Sequence, residues 1–240
     1  MLEALRARRR ALRRLRIRKG RRGPEALEIL EAARSAGVPV EEVDAEALAV
    51  GLPPGTAAQG VVLEAGPLPE LPLVELARTG PEPRRIVALD GVEDPQNVGA
   101  IARVAEACGA CGLLLTRRHA PSLGPTVSRA SAGALEWLAA ARVPNLGRAL
   151  DQLKGEGFWV FGCDPEQGED LFTLSERVLG GNQVVVLGAE GRGLRPGVQR
   201  ALDHRVRIPM AGRVASLNVA AAAAVVLFEL GKPRSKRSQR

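Results

Sequence analysis

Apolar positions along this chain fall into two patterns. Spacings of three and four residues mark amphipathic helices, and unbroken runs of four or five mark strands buried on both faces. Near the start, Leu5, Leu12, Leu15 and Ile17 interrupt a basic stretch at intervals that seat a helix followed by a strand. Leu27, Ile29, Leu30 and Ala33 predict a helix over Pro24–Ala36, ended by Gly37, and Val38–Val43 and Val61–Leu63 predict strands. Short helices alternating with strands over residues 1–65 describe a small α/β domain. Pro67, Pro69, Pro72, Pro81 and Pro83 then deny a regular ladder, so residues 66–83 read as a linker with one helical turn around Leu73–Ala77.

From residue 84 to 231 strand, loop and helix repeat. Strands are predicted at Ile86–Leu89, Gly112–Leu115, Arg142–Val143, Phe158–Cys163, Gln183–Gly188 and Arg205–Ile208. Helices are predicted at Asn97–Cys108, Thr126–Leu138, Leu146–Lys154 and Arg195–Leu202, with Asp90–Gln96 as a turn and Val98, Ile101, Val104, Ala105 and Cys108 facing inward. This is a parallel α/β arrangement. Val184–Leu187 is a continuous β-branched and aliphatic run that empties into a glycine-rich turn. After Arg205–Ile208, Pro209 and Gly212 break the strand, and Ser216 reads as the cap of a last helix, apolar nearly all round and so expected to be buried. Two glycine-containing loops at the carboxyl ends of two strands make a concave, backbone-lined pocket suited to a small polar ligand. Residues 232–240 read as a basic tail.

Charge adds a partner to this picture. The 240 residues carry a formal charge of +7 and a sequence pI of about 10.3. An acidic partner follows, and because Arg far outnumbers Lys, nucleic acid is favoured over a membrane surface. A GC-rich coding sequence would enrich Arg, Ala, Gly and Pro as well. Aromatic residues make up only 2% of the chain, with no Tyr, which excludes a stacking platform for single-stranded bases. Residues 6–22 hold no acid; the stretch reads either as a solvated helix surface or, preferably, as an RNA contact, since a one-sign run repels itself until a polyanion neutralises it.

Metal and redox chemistry find little footing. Cys108-Gly-Ala-Cys111 has the spacing of a redox or zinc motif, but there is no second such pair, and His119 and His204 are the only histidines. No metal is assigned. An odd count of three cysteines and the lack of a spanning apolar run fit a cytoplasmic protein. The late glycines, Gly188, Gly191 and Gly193, run GxxGxG, neither the dinucleotide GxGxxG nor a P-loop. They let backbone approach a ligand, or they simply make a tight turn.

Three segments, Asp94-Pro-Gln-Asn97-Val-Gly-Ala-Ile-Ala-Arg103, Leu187-Gly188-Ala-Glu190-Gly191-Arg-Gly193-Leu194, and Ile208-Pro209-Met210 through Ser216-Leu217-Asn218-Val219, stand in order and register. Together with Ser131-Ala-Gly-Ala-Leu135, the region from Ile86 to Leu230 resembles the SpoU (TrmH-like) family of RNA ribose 2′-O-methyltransferases of the SPOUT superfamily. Residues 1–65 are similar to the L30e-like amino-terminal domain of its ribosomal-RNA branch. Such domains usually carry several more residues, including a glycine, ahead of the helix at Met1–Leu5.

The resemblance implies an α/β fold, a SPOUT-type parallel sheet with a carboxyl-terminal trefoil knot, preceded by the small L30e-like α/β domain. It also implies S-adenosyl-L-methionine as cofactor, a homodimer whose two chains share a site, and RNA, foremost 23S ribosomal RNA, as substrate. Transfer RNA, or ribosomal-RNA binding without turnover, are the alternatives. By the family pattern Arg103 acts near the ribose and phosphate; a guanidinium is a reluctant base, so holding phosphate and stabilising the emerging alkoxide suits it better. Asn97 caps its helix or orients Arg103 and substrate. Glu190 stabilises the loop or faces the sulfonium and ribose. Ser216 and Asn218 stand at the substrate end or cap the last helix, and Gly188, Ile208, Met210 and Leu217 surround the cofactor.

Overall fold

Residues 1–52, 58–175, 179–214 and 216–232 are described by a computed structural model, which divides the chain into two units, Met1–Pro69 and Glu70–Arg240. The first unit runs α1 (Leu2–Ala7), β1 (Leu12–Arg18), α2 (Pro24–Ser35), β2 (Val40–Val43), α3 (Ala45–Ala49) and β3 (Val61–Ala65). Central β1 pairs parallel with β2 and antiparallel with β3. Leu15 and Ile17 on β1 pack against Leu5, Ile29 and Ala33. Pro24 starts α2, where its fixed φ suits the first turn and its missing N–H is no loss. Leu27, expected on the buried face, is 67% exposed; Ala26, Ile29 and Ala33 carry that face instead.

The basic stretch is partly neutralised from within its own unit. Arg14 pairs with Glu41 and Glu64, each at 2.9 Å, and Glu64 raises its pKa above the ordinary value. Buried Arg16 donates to the Ala47 and Val50 carbonyls at the end of α3, and Arg6, Lys19 and Arg21 each find a carboxylate. Acids distant in sequence, Glu28, Glu41, Asp44 and Glu64, thus hold part of the run from within the unit. Arg13, Arg18 and Arg22 are exposed and make no ion pair or side-chain hydrogen bond among the described residues.

The second unit runs α4 (Leu73–Ala77), β4 (Arg85–Asp90), α5 (Pro95–Ala107), β5 (Gly112–Thr116), α6 (Pro125–Ala130), β6 (Ala139–Val143), α7 (Leu146–Gly155) and β7 (Phe158–Cys163). It continues with β8 (Glu169–Asp170), β9 (Asn182–Gly188), α8 (Pro196–Gln199), β10 (His204–Arg207) and α9 (Val219–Gly231). The sheet order is β6-β5-β4-β9-β7-β10-β8, with every pairing parallel. The chain winds outward from β4 to β6 and then returns to lay β9 between β4 and β7. That reversal opens a crevice at the carboxyl ends of β4, β9 and β7, where an open parallel sheet binds ligands.

Several expectations shift. Residues 70–83 belong to the second unit: Leu76 and Ala77 of α4 lie in its core, and Leu71 N–H donates to the Ala140 carbonyl at 2.7 Å. The helix expected over Thr126–Leu138 is split, because Ala132 and Gly133 take φ of 51° and 92°, and the strand expected at Arg142–Val143 begins at Ala139. A short Ala-rich run carries no spacing that separates strand from helix. The last helix is not wholly buried in one chain. Val219, Ala223, Val226, Leu227 and Leu230 are buried, but Ala221 and Phe228 are exposed and Ala224 and Val225 half-buried. These four recur at i, i+3, i+4 and i+7, an apolar stripe on one helix face. The expected basic tail lies outside the described residues except for Lys232. Among the described residues no helix is long and apolar enough to cross a membrane.

Two details hold α5 and α9 in place. A Cβ on Gly99 would stand 2.3 Å from the Ala130 Cβ, so the close crossing of α5 and α6 requires glycine there. Half-buried Arg85 donates to the Cys108 carbonyl at the end of α5 (3.3 Å), to the Leu230 carbonyl at the end of α9 (3.1 Å) and to Gln183 Oε1 (3.0 Å). It thus ties two helix ends, where a cation complements unpaired carbonyls. Burial pushes the neighbouring Cys108 and Cys111 thiols up, as expected of packing residues.

Candidate active site

The site grows from the carboxyl end of β9. Gly188 lies opposite Asp90 in the register of β4 and β9. The chain then folds tightly back: Gly193 N–H donates to the Ala189 carbonyl at 3.0 Å, with Gly191 and Gly193 at φ of 77° and 62°. A Cβ on Gly188 would stand 2.5 Å from the Gly193 carbonyl carbon, so the turn closes only over glycine. Asp90, whose side chain is fully buried, fastens both ends of this turn. Its carbonyl accepts Ala189 N–H (3.1 Å), while its carboxylate accepts Arg195 N–H (2.8 Å) and Arg195 Nε (2.6 Å).

The turn presents Glu190 to two other elements. Glu190 Oε1 accepts from Asn218 Nδ2 (2.8 Å), from the Val219 N–H (3.3 Å) and from Asn97 Nδ2 (3.4 Å), and Asn218 Nδ2 also donates to Asn97 Oδ1 (3.0 Å). Asn218, not Ser216, is the cap of α9, its Oδ1 accepting the Ala220 and Ala221 N–H groups at 2.9 and 3.4 Å. Ser216 falls two residues too early to reach them. Asp94, not Asn97, caps α5, accepting Gln96 N–H at 3.0 Å ahead of Pro95. Asn97, set one turn inside, is free to face Glu190.

Two cavities meet at this cluster. The larger, about 820 Å³, holds Gly188, Glu190, Ile208, Met210, Ser216, Leu217 and Asn218 on its wall. Asp164, Arg205 and Cys163, which sequence patterns did not single out, line it too. Arg205 donates to Gln167 Oε1 (2.8 Å) and Asp164 Oδ2 (3.3 Å), joining the loop after β7 to β10. Burial pushes the Cys163 thiol up to about 12, so it stays protonated and is no nucleophile. The smaller, about 590 Å³, is lined by Asn97, Glu190, Asp90, Arg195, Arg192 and the His119–Glu93 pair, whose Nδ1 and Oε1 lie 3.0 Å apart.

Arg103 stands apart. It is exposed on α5, lines neither cavity, and lies about 9 Å further along the helix than Asn97 and about 120° around it. The other residues singled out from sequence come together around the two cavities; Arg103 does not join them within one chain.

A sequence profile described as the SpoU rRNA Methylase family matches residues 84–228, and one described as RNA 2′-O ribose methyltransferase substrate binding matches residues 1–71. The chain belongs to the SpoU rRNA Methylase family. Among SpoU relatives, a 23S rRNA (guanosine-2′-O-)-methyltransferase RlmB of Pseudomonas putida is 36% identical over 91% of this chain and 87% of its own length. The RlmB of Ralstonia nicotianae is 38% identical over 90% and 85%. A Bacillus subtilis relative called putative TrmH family tRNA/rRNA methyltransferase YacO is 35% identical over 88% and 84%. Of solved SpoU structures, AviRb from Streptomyces viridochromogenes in complex with the cofactor AdoMet matches with a TM-score of 0.77 and 27% identity, covering 95% of this chain and 85% of that one.

Proposed function

We propose that this protein transfers the methyl group of S-adenosylmethionine to a ribose 2′-hydroxyl of 23S ribosomal RNA, working as a homodimer in the cytoplasm where that RNA is found. The observation that carries the reading is Glu190: a glycine turn holds it at the meeting of two cavities and binds it to Asn97 and Asn218. Relatives named 23S rRNA (guanosine-2′-O-)-methyltransferase, matched over most of their length, supply the substrate class.

The larger cavity fits the cofactor. Its volume falls in the range of about 300–1,000 Å³ usual for such ligands, and it joins apolar walls to a backbone-lined turn. Ile208, Met210 and Leu217 would flank the adenosine, Gly188 would admit it close to the main chain, and the Glu190 carboxylate would face a cation. S-adenosylmethionine, when bound, supplies a methyl group already activated by a sulfonium, so the protein has only to place the ribose oxygen in line and ease its proton away. Asn97, Ser216 and Asn218 border the substrate side and would orient the ribose.

The dimer supplies what one chain lacks. Arg103 lines neither cavity of its own chain, and α9 leaves Ala221, Ala224, Val225 and Phe228 without a full apolar cover. A second copy packed on that face would bury the stripe and bring its Arg103 to the first copy's substrate, where the guanidinium holds phosphate and stabilises the alkoxide. In the first unit Arg13, Arg18, Arg22 and Arg34 are exposed cations without an ion pair among the described residues, and they are available to RNA.

Arg103→Ala tests the reading. Methyl transfer to 23S ribosomal RNA should fall by about 10²–10³-fold, while S-adenosylmethionine binds by calorimetry within about twofold of the unaltered protein. Loss of cofactor binding, or full activity, would overturn the role given to Arg103.

A further inference from the structure

The geometry assigns Asp90 and Arg195 a positioning role: this ion pair fixes the glycine turn from both ends, and through the turn it sets Glu190 between the two cavities. The inference rests on the reading of the site as a methyl-transfer centre, and it concerns residues that contact neither the methyl donor nor the ribose in that reading.

The turn from Gly188 to Leu194 needs outside restraint. Three of its seven residues are glycines, which lose the most freedom when a chain is fixed, and its internal hold is one short bridge between Ala189 and Gly193. Asp90 supplies that restraint at a single point. Its main chain holds the entry through Ala189 N–H, and its side chain holds the exit through Arg195 N–H. The second carboxylate oxygen takes the Arg195 guanidinium, Nε at 2.6 Å and Nη2 at 2.5 Å. Nothing in this arrangement is slack, since each oxygen has its own donor.

Burial makes the pair unequal. The Asp90 side chain is wholly buried whereas that of Arg195 is 48% exposed, so Asp90 depends on Arg195 to offset the cost of its charge. Arg195 also opens α8, and its carbonyl accepts Val198 and Gln199 N–H groups, which ties the turn to the helix behind it. Packing alone would not need a charge here; an apolar pair of like volume would fill the space without fixing two backbone N–H groups and a guanidinium in one geometry. Because Glu190 lies two residues past Gly188 and shares its Oε1 among Asn218, Asn97 and the Val219 N–H, a shift of the turn moves all three contacts together.

The test uses full-length protein carrying Asp90→Asn, which keeps shape but sets an amide N–H against the Arg195 donors. Three readings are taken: amide hydrogen exchange of residues 189–195 in free protein, S-adenosylmethionine Kd by calorimetry, and single-turnover methyl transfer at saturating cofactor. The turn amides should exchange faster while those of β5 and β6 keep their rates, Kd should weaken about tenfold, and the single-turnover rate should fall by about tenfold to a hundredfold. Arg195→Lys, which keeps the charge but not the fork, should fall between the two proteins in all three. If Asp90→Asn does not fold, Arg195→Gln removes only the half-exposed partner and takes its place with the same expectations. Turn amides that exchange at unaltered rates, or a rate and Kd both within about twofold, would overturn the role. Should the unaltered protein bind no S-adenosylmethionine, the functional reading fails by itself, and the exchange measurement still decides whether the pair fixes the turn.

Discussion

Asn218 carries two duties on one side chain, and they can be separated. Its Oδ1 caps α9, while its Nδ2 links Glu190 to Asn97. Asn218→Asp keeps the acceptor for the helix but removes the donor and sets a second carboxylate beside Glu190; Asn218→Ala removes both duties. Capping predicts a stability loss of about 1 kcal/mol for Asn218→Ala, whereas Asn218→Asp keeps the cap and loses stability only through repulsion from Glu190, which added salt relieves, both read from thermal melting. Methyl transfer should drop in both. Activity that follows stability alone would confine Asn218 to capping. The sequence reading put the cap at Ser216 and left both Ser216 and Asn218 open to either capping or a place at the substrate end, because both residue types are good caps. What decides between them is where the helical dihedrals begin, at Val219, and a nearly featureless Ala/Val run does not encode that to within a residue. Asp90 and Arg195 escaped notice for another reason. They are 105 residues apart in sequence, and a lone Asp at a strand end looks like any turn former until the parallel register of β4 and β9 sets it beside Gly188.

At the scale of elements, strands were more legible than helices. Val184–Leu187 and Phe158–Cys163 read directly as buried strands, since aliphatic and aromatic runs of that length bounded by glycine or a polar turn have few other uses. Limits were harder wherever alanine dominates: the strand expected at Arg142–Val143 begins at Ala139, and α8 spans four residues where eight were expected. The last helix was legible as an apolar element but not in what covers it. Its stripe of Ala221, Ala224, Val225 and Phe228 demands a partner of the same character, and in the proposed dimer a second copy provides it. Phe228, 55% exposed in one chain, is the largest member. Phe228→Asp should therefore shift the protein from dimer to monomer in sedimentation analysis while the single chain keeps its melting cooperativity, because little of the lost contact lies within it. A variant that stays dimeric would place the subunit contact elsewhere.

For the whole molecule, a basic α/β segment followed by a parallel sheet with late glycine turns was legible in the sequence. The charge pointed to an acidic partner but not to how part of the basic run is held within its own unit. A strand that alternates inward Leu15 and Ile17 with arginines recruits carboxylates from its neighbours β2 and β3, a cross-strand effect that linear sequence hides. Where the pieces of the site meet was half legible: motif order pointed to residues that converge on two cavities, but the separation of Arg103 from them emerges only in three dimensions. The central claim is that this fold methylates a ribose oxygen, and alkali tests that directly, because hydrolysis of RNA proceeds through the free 2′-hydroxyl that methylation removes. 23S ribosomal RNA is incubated with the protein and methyl-labelled S-adenosylmethionine, then hydrolysed in base. The account predicts label in an alkali-resistant dinucleotide, whereas label released as mononucleotide, or none incorporated, would contradict it.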